Sequence, residues 1–277
     1  MIITKEKINE FINTLQYEEY CKKTILKYRT DIKKLANFMK QSKICKEDMI
    51  EFKEYLCKKY KPRSVNSILA ACNLFFTHQN RLDLKVKQLK IQHTAFCDEE
   101  RELSKREYEK LLRAVKQCED HTMLLIIQTL GNTGIRISEL PFITIEAITS
   151  GKAEIRMKGK NRTILIPKGL KQKLQYYATK HEIKKGPVFV TKNAVPYDRS
   201  NIWRKMKYYA EIADINPSKV FPHNLRHLFA RQFYRIKKDI AQLADILGHS
   251  NINTTRIYMI STGEEHQRIL EKMQLLL

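Results

Sequence analysis

The stretch Arg156–Pro167, RMKGKNRTILIP, is where the chain stops reading as helix. Apolar and polar residues alternate over Ala153–Met157 and again over Thr163–Ile166, the period of half-buried strands, and the basic turn KGKN joins the two. A third short strand is expected at Pro187–Val190. Outward from this hairpin the periodic segments are helical. Toward the C-terminus they cover about Ser200–Ala213, His223–Ile236, Asp239–Leu247, Asn253–Ile260 and Glu264–Met273. Ile240, Leu243, Ala244 and Leu247 share one face, and Gly248 stands where a helix C-cap belongs. Toward the N-terminus the helical pattern covers about Ser104–Gln117 and His121–Leu130.

The first eighty residues or so read as a four-helix unit. A short helix spans about Thr4–Leu15; Tyr28, Ile32, Leu35 and Met39 mark a second, and Met49, Phe52 and Leu56 a third. Val65, Ile68, Leu69, Cys72, Phe75 and Phe76 make the stripe of a fourth, with Ser64 as its expected cap. Periodicity is lost over Asp83–Glu100, as in an interdomain linker. The expected class is mainly α with a small β-sheet (α+β). It has a helical domain over residues 1–90, a linker over 91–100 and a mixed domain over 101–277.

Composition narrows the function. Lys and Arg number 52 against 30 Asp and Glu, a net charge of +22, with pI ≈ 9.7. Residues 1–100 hold 20 basic and 13 acidic side chains and residues 101–277 hold 32 and 17, so both halves are basic. Solubility alone needs a magnitude of only about 2–8, whereas a polyanion lying across both halves would use all of it. The longest aliphatic run, Met123–Ile127, is far short of the roughly 20 residues that span a bilayer, and the start MIITKEKINE carries no signal pattern. No membrane role is expected, and the compartment expected is the cytoplasm. Cys21, Cys45, Cys57, Cys72, Cys97 and Cys118 form no C-x-x-C pair and accompany no zinc-like histidine pair. They read as reduced thiols packed as small hydrophobes, with no structural metal.

Four short stretches remain: TGIRISEL (Thr133–Leu140), the hairpin itself, HNLRH (His223–His227) and LGHSNINTTRIY (Leu247–Tyr258). Each alone has an ordinary structural explanation. In this order they resemble the tyrosine recombinase (phage integrase) family, whose pattern is T-G-x-R-x-S-E-L, a hairpin lysine, H-x-x-R, then L-G-H with a tyrosine nine residues on. His249 to Tyr258 has that spacing, and the helical first hundred residues look like the family's core-binding domain. The hairpin departs from the family's G-K-G-N-K-x-R by being about two residues shorter between the first Lys and Pro167.

The resemblance implies a site-specific DNA recombinase that cleaves and rejoins strands through a 3′-phosphotyrosyl intermediate. Arg136 and Arg226 would hold the non-bridging phosphate oxygens with planar guanidinium forks. Tyr258, whose hydroxyl is only about one part in a thousand ionised at neutral pH, would be the nucleophile, with His223 taking its proton. His249 would donate a hydrogen bond to the phosphate, and Lys160, with Lys158 as the alternative, would protonate the departing 5′-oxygen. Glu139 and His227 would orient the groups around them. Exchange of one phosphodiester for another needs no energy source, and the sequence has neither a G-x-x-x-x-G-K-[ST] loop nor a carboxylate cluster for paired metals, so no cofactor is expected.

Expected partners are double-stranded DNA, three further copies in a homo-tetramer synapsed on DNA, and a possible accessory directionality factor. The tetramer would pass the apolar C-terminal segment (Ile269, Leu270, Met273, Leu275–Leu277) to its neighbour. Because the helices begin almost at once, a simple Xer-like or mobile-element recombinase is expected rather than a larger lambda-type integrase. A non-catalytic DNA-binding regulator on the same scaffold and a type IB topoisomerase-like nicking enzyme are the other two readings.

Overall fold

A computed structural model describes residues 1–40, 42–91, 101–157, 160–191, 193, 195–249, 251–256 and 271–272, with Arg156, Met157 and Lys160 described by their backbone. The chain divides into two units, Met1–His93 and Thr94–Leu277. Each has its own apolar core.

The first unit holds α1 (Lys5–Tyr17), α2 (Lys22–Phe38), α3 (Lys46–Lys59) and α4 (Pro62–His78). Helix α4 packs against both α2 and α3, which is why its apolar stripe is wide, burying Val65, Ile68, Leu69, Ala71, Cys72, Phe75 and Phe76. Phe75 meets Phe11 of α1 edge to face, with centroids 5.4 Å apart. The helix begins before Ser64, which is not its cap. Pro62 occupies the first turn, where its missing N–H costs nothing, and Lys61 is the flanking residue.

The aperiodic segment after α4 is partly a structural strap. Leu84 and Val86 are buried, and two asparagines two turns apart on one face of α4 bind the extended chain as a neighbouring strand would. Asn73 donates to Val86 O at 2.9 Å and accepts from its N–H at 3.0 Å; Asn66 does the same for Leu89, at 2.8 and 2.7 Å. The linker expected from Asp83 therefore does not begin there: the strap through Leu89 belongs to the first unit. Residues 92–100 lie outside the described residues.

The second unit runs α5 (Lys105–Gln117), α6 (His121–Thr133), α7 (Ile145–Ser150), β1 (Lys152–Met157), β2 (Lys160–Leu165), α8 (Lys168–Lys180), α9 (Arg199–Ile212), α10 (Pro222–Lys237), α11 (Ile240–Leu247) and α12 (Asn253–Arg256). Strands β1 and β2 pair antiparallel from Lys152↔Leu165 to Met157↔Lys160. Ala153, Ile155 and Ile164 face the core, with Ile166 just beyond the strand. The strand expected at Pro187–Val190 is instead two isolated bridges, Thr144↔Pro187 and Val190↔Pro196. A proline in each bridge lacks the N–H that would extend a ladder. Helices α7 and α8 go beyond the sequence expectation. Only Cys72 among the described cysteines is buried; Cys21, Cys45, Cys57 and Cys118 are exposed, which corrects the expectation that they pack as hydrophobes. None of the described cysteines is in a disulfide, and burial pushes the Cys72 thiol far up.

Phe75→Ala removes a fully buried ring from the first core and is expected to cost about 3–5 kcal/mol, lowering the urea midpoint of that unit. An unchanged midpoint would contradict this assignment of its core.

Candidate active site

Four of the sequence motifs converge in the second unit. Helix α6 ends at Gly134 in the left-handed conformation, φ +63°. A Cβ there would stand 2.4 Å from the Phe229 ring of α10, so only glycine lets the two helices meet this closely. The turn delivers Arg136 to the start of a 3₁₀ stretch, Ile137–Phe142. Glu139, in that stretch, is buried and bonds back to Arg136 twice: the Arg136 N–H donates to Oε2 at 2.7 Å and Nη1 donates to Oε1 at 3.0 Å. The Arg136 side chain as a whole is 42% exposed. A guanidinium anchored at one edge and open at the other is built to meet an anion.

Helix α10 carries His223, Arg226 and His227. Arg226 is buried, with Nη1 donating to Gly134 O at 2.6 Å and Nη2 to Leu247 O at 2.6 Å. Its Nη2 also lies 2.9 Å from His249 Nε2. A guanidinium can only donate, so His249 Nε2 accepts and its proton sits on Nδ1, which donates to Thr255 Oγ1 at 2.8 Å. In this tautomer His249 has no Nε2 proton to give, unlike the donor role expected from sequence. Thr255, fully buried in α12, is the partner that sequence reasoning missed.

Arg162 was missed as well. It lies on β2 at the inward parity shared with Ile164 and Ile166, and an arginine at that parity was the available signal. Its Nη2 forms an ion pair with Glu139 Oε2, and its Nη1 donates to Ile246 O at 2.8 Å. The C-terminal carbonyls of α11 are thereby all accounted for. Backbone N–H groups of Gly248 and His249 serve Ala244 and Asp245, while Arg162 and Arg226 serve Ile246 and Leu247. Gly248, at φ +64°, is the expected C-cap, and a Cβ on it would lie 2.5 Å from Arg162 Cδ.

His223 and His227 meet edge to face, centroids 4.7 Å apart, and His227 Nδ1 lies 4.0 Å from Glu102 Oε1. His223 keeps an exposed edge, yet desolvation by the groups packed around it, then His227, Arg226 and Arg136, pushes it down to about 4. Burial and Arg226 do the same to His227, to about 4. For His249 the causes are burial, then Arg226, Arg136, Arg162 and His223, again to about 4. All three are neutral at pH 7. Tyr258 and Lys158 lie outside the described residues, and Lys160 is placed as the β2 residue paired with Met157. Among the described residues no group of three or more His, Cys, Asp or Glu is placed to hold a metal ion, and no helix is long and apolar enough to cross a membrane.

Guanidiniums fixed by hydrogen bonds and neutral imidazoles thus stand together in this unit, groups whose chemistry can hold an oxyanion and move a proton. The comparisons with known proteins give the family. Residues 101–265 match the phage integrase family and residues 8–81 match the phage integrase N-terminal SAM-like domain; the chain belongs to this family. It is a tyrosine-type recombinase, an enzyme of the class that cleaves and rejoins DNA through a tyrosine intermediate. It is 28% identical to tyrosine recombinase XerA of Pyrococcus furiosus over 99% of this chain and 96% of that one. To tyrosine recombinase XerD of Vibrio cholerae it is 27% identical, covering 91% and 90%. In fold it is similar to XerH bound to its difH substrate (TM-score 0.70, 19% identity, 96% and 89% covered). It is also similar to a lambda integrase tetramer bound to a Holliday junction (TM-score 0.73, 16% identity, 93% and 77% covered).

The depressed histidines set a pH dependence. Their folded values lie below the ordinary 6.5, so the unfolded chain binds more protons as pH falls. The stability they contribute is complete above about pH 6.5 and is lost toward pH 4. The urea midpoint of the second unit should fall between pH 7 and pH 5, and less so in His223→Gln/His249→Asn. Equal slopes in the two proteins would contradict the placement of these rings.

Proposed function

We propose that the chain recombines double-stranded DNA at specific sites with Tyr258 as nucleophile. The observation that carries this reading is the convergence of Arg136, Arg226, His223 and His249 from three separate motifs, with Arg226 Nη2 2.9 Å from His249 Nε2 and both arginines near enough to depress both histidines. Arg136 and Arg226 hold the two non-bridging oxygens of the scissile phosphate. Tyr258 Oη attacks phosphorus, its proton passes to the neutral His223, and the new P–O bond replaces the bond to the 5′-oxygen. That oxygen leaves with a proton from Lys160, or from Lys158 if the hairpin tip serves instead. Rejoining runs the same steps backward from a 5′-hydroxyl.

Glu139 keeps Arg136 aimed, and His227 packs His223 in place. His249, itself held by Thr255, accepts from Arg226, and a contact from His249 to the phosphate needs its proton moved to Nε2. No metal or nucleotide takes part. Four copies assemble on paired sites in the cytoplasm, and the host is a mobile element or an Xer-type chromosomal system. The basic surplus in both halves supports contacts along the duplex from each.

A nicked duplex carrying a site selected for binding by the wild-type chain should trap an adduct that survives denaturant. Tyr258→Phe should bind the same duplex and give none. An adduct of undiminished yield from the Phe variant would overturn the assignment.

A further inference from the structure

A two-stranded ribbon is marginally stable by itself, so what fixes it to the body of the unit decides where its tip stands. At the far end Ala153, Ile155 and Ile164 are anchored in the core. Toward the tip, Arg162 is the last inward-facing side chain described before the turn, and its contacts reach two separate elements. Nη2 pairs with Glu139, the same carboxylate that holds Arg136, and Nη1 bonds Ile246 O at the end of α11, two residues before the Gly248 cap and three before His249. Its stem lies across Gly248, where any Cβ would collide with it. Position 160 stands two residues nearer the tip on the same strand, about 7 Å along it and of the same parity.

We propose that Arg162 is a positioning residue for strand cleavage: it ties the hairpin that carries Lys160 to Glu139 and to the end of α11, and so sets the general acid in register with the phosphate held by Arg136 and Arg226. The proposal rests on the reading of Tyr258 and Lys160 given above. Arg162 moves no proton itself. Its loss unties the strand that carries Lys160 from Glu139 and α11, and a displacement of about 1 Å can cost on the order of a hundredfold in rate.

The test compares single-turnover adduct formation on two nicked duplexes of the same selected site, one with the natural 5′-oxygen and one with a 5′-bridging sulfur, which leaves without protonation. Arg162→Ala should slow the oxygen substrate about 10- to 100-fold and the sulfur substrate about threefold or less. Arg162→Lys keeps a positive charge opposite Glu139 but cannot span to Ile246 O as well; it should show the same pattern more weakly, and it carries the test if the alanine variant does not fold. Lys160→Ala is the control and should also spare the sulfur substrate. With that control as expected, equal slowing of both substrates by the Arg162 variants, or no slowing, overturns the Arg162 proposal alone. No adduct from the wild type, or equal slowing by Lys160→Ala, overturns the reading of Tyr258 or Lys160 and this proposal with it.

Discussion

A single buried carboxylate lets a strongly cationic chain concentrate its positive charge. Glu139 accepts from the Arg136 backbone, the Arg136 guanidinium and the Arg162 guanidinium. Gathering Arg136, Arg162 and Arg226 in a chain of net charge +22 is electrostatically uphill unless something of opposite sign sits among them. One carboxylate among three guanidiniums leaves a net positive pocket, the state that a phosphate can complete. Removing the charged partner of a buried pair costs about 3–5 kcal/mol, so the arginines and Glu139 depend on one another.

The same economy governs the end of α11. Its last carbonyls have no partners within the helix, and two arginines from distant parts of the sequence supply the bonds for Ile246 and Leu247. Cations are favoured there by the helix dipole as well. These bonds leave the turn at Gly248 no room for a side chain and put His249 against Arg226. Stability and site geometry are thus one set of contacts.

Much of this was readable from residue spacing. The Gly248 cap, the hairpin and the four N-terminal helices follow from patterns of one element each, where local chemistry decides. The misses have physical causes. Helix α8 was obscured by its lysines, although Leu170, Leu174, Tyr177 and Ala178 mark its buried face. The strap at Leu84–Leu89 has no period because its partners are the side chains of Asn66 and Asn73, a pairing that exists only once α4 is folded. The roles of Arg162 and Thr255 depend on contacts 84 and 6 residues away, which the folded chain supplies. The protonation of His249 is of the same kind, since it is set by Arg226 and Thr255 together.

The most direct measurement of the account is the single-turnover rate of adduct formation by Glu139→Gln at saturating protein. Glutamine keeps the size but removes the charge and turns a donor group toward the arginines. If Glu139 organises the phosphate pocket, cleavage should slow on the order of a hundredfold while affinity for the duplex changes only a few-fold. A variant that cleaves at the wild-type rate would contradict it.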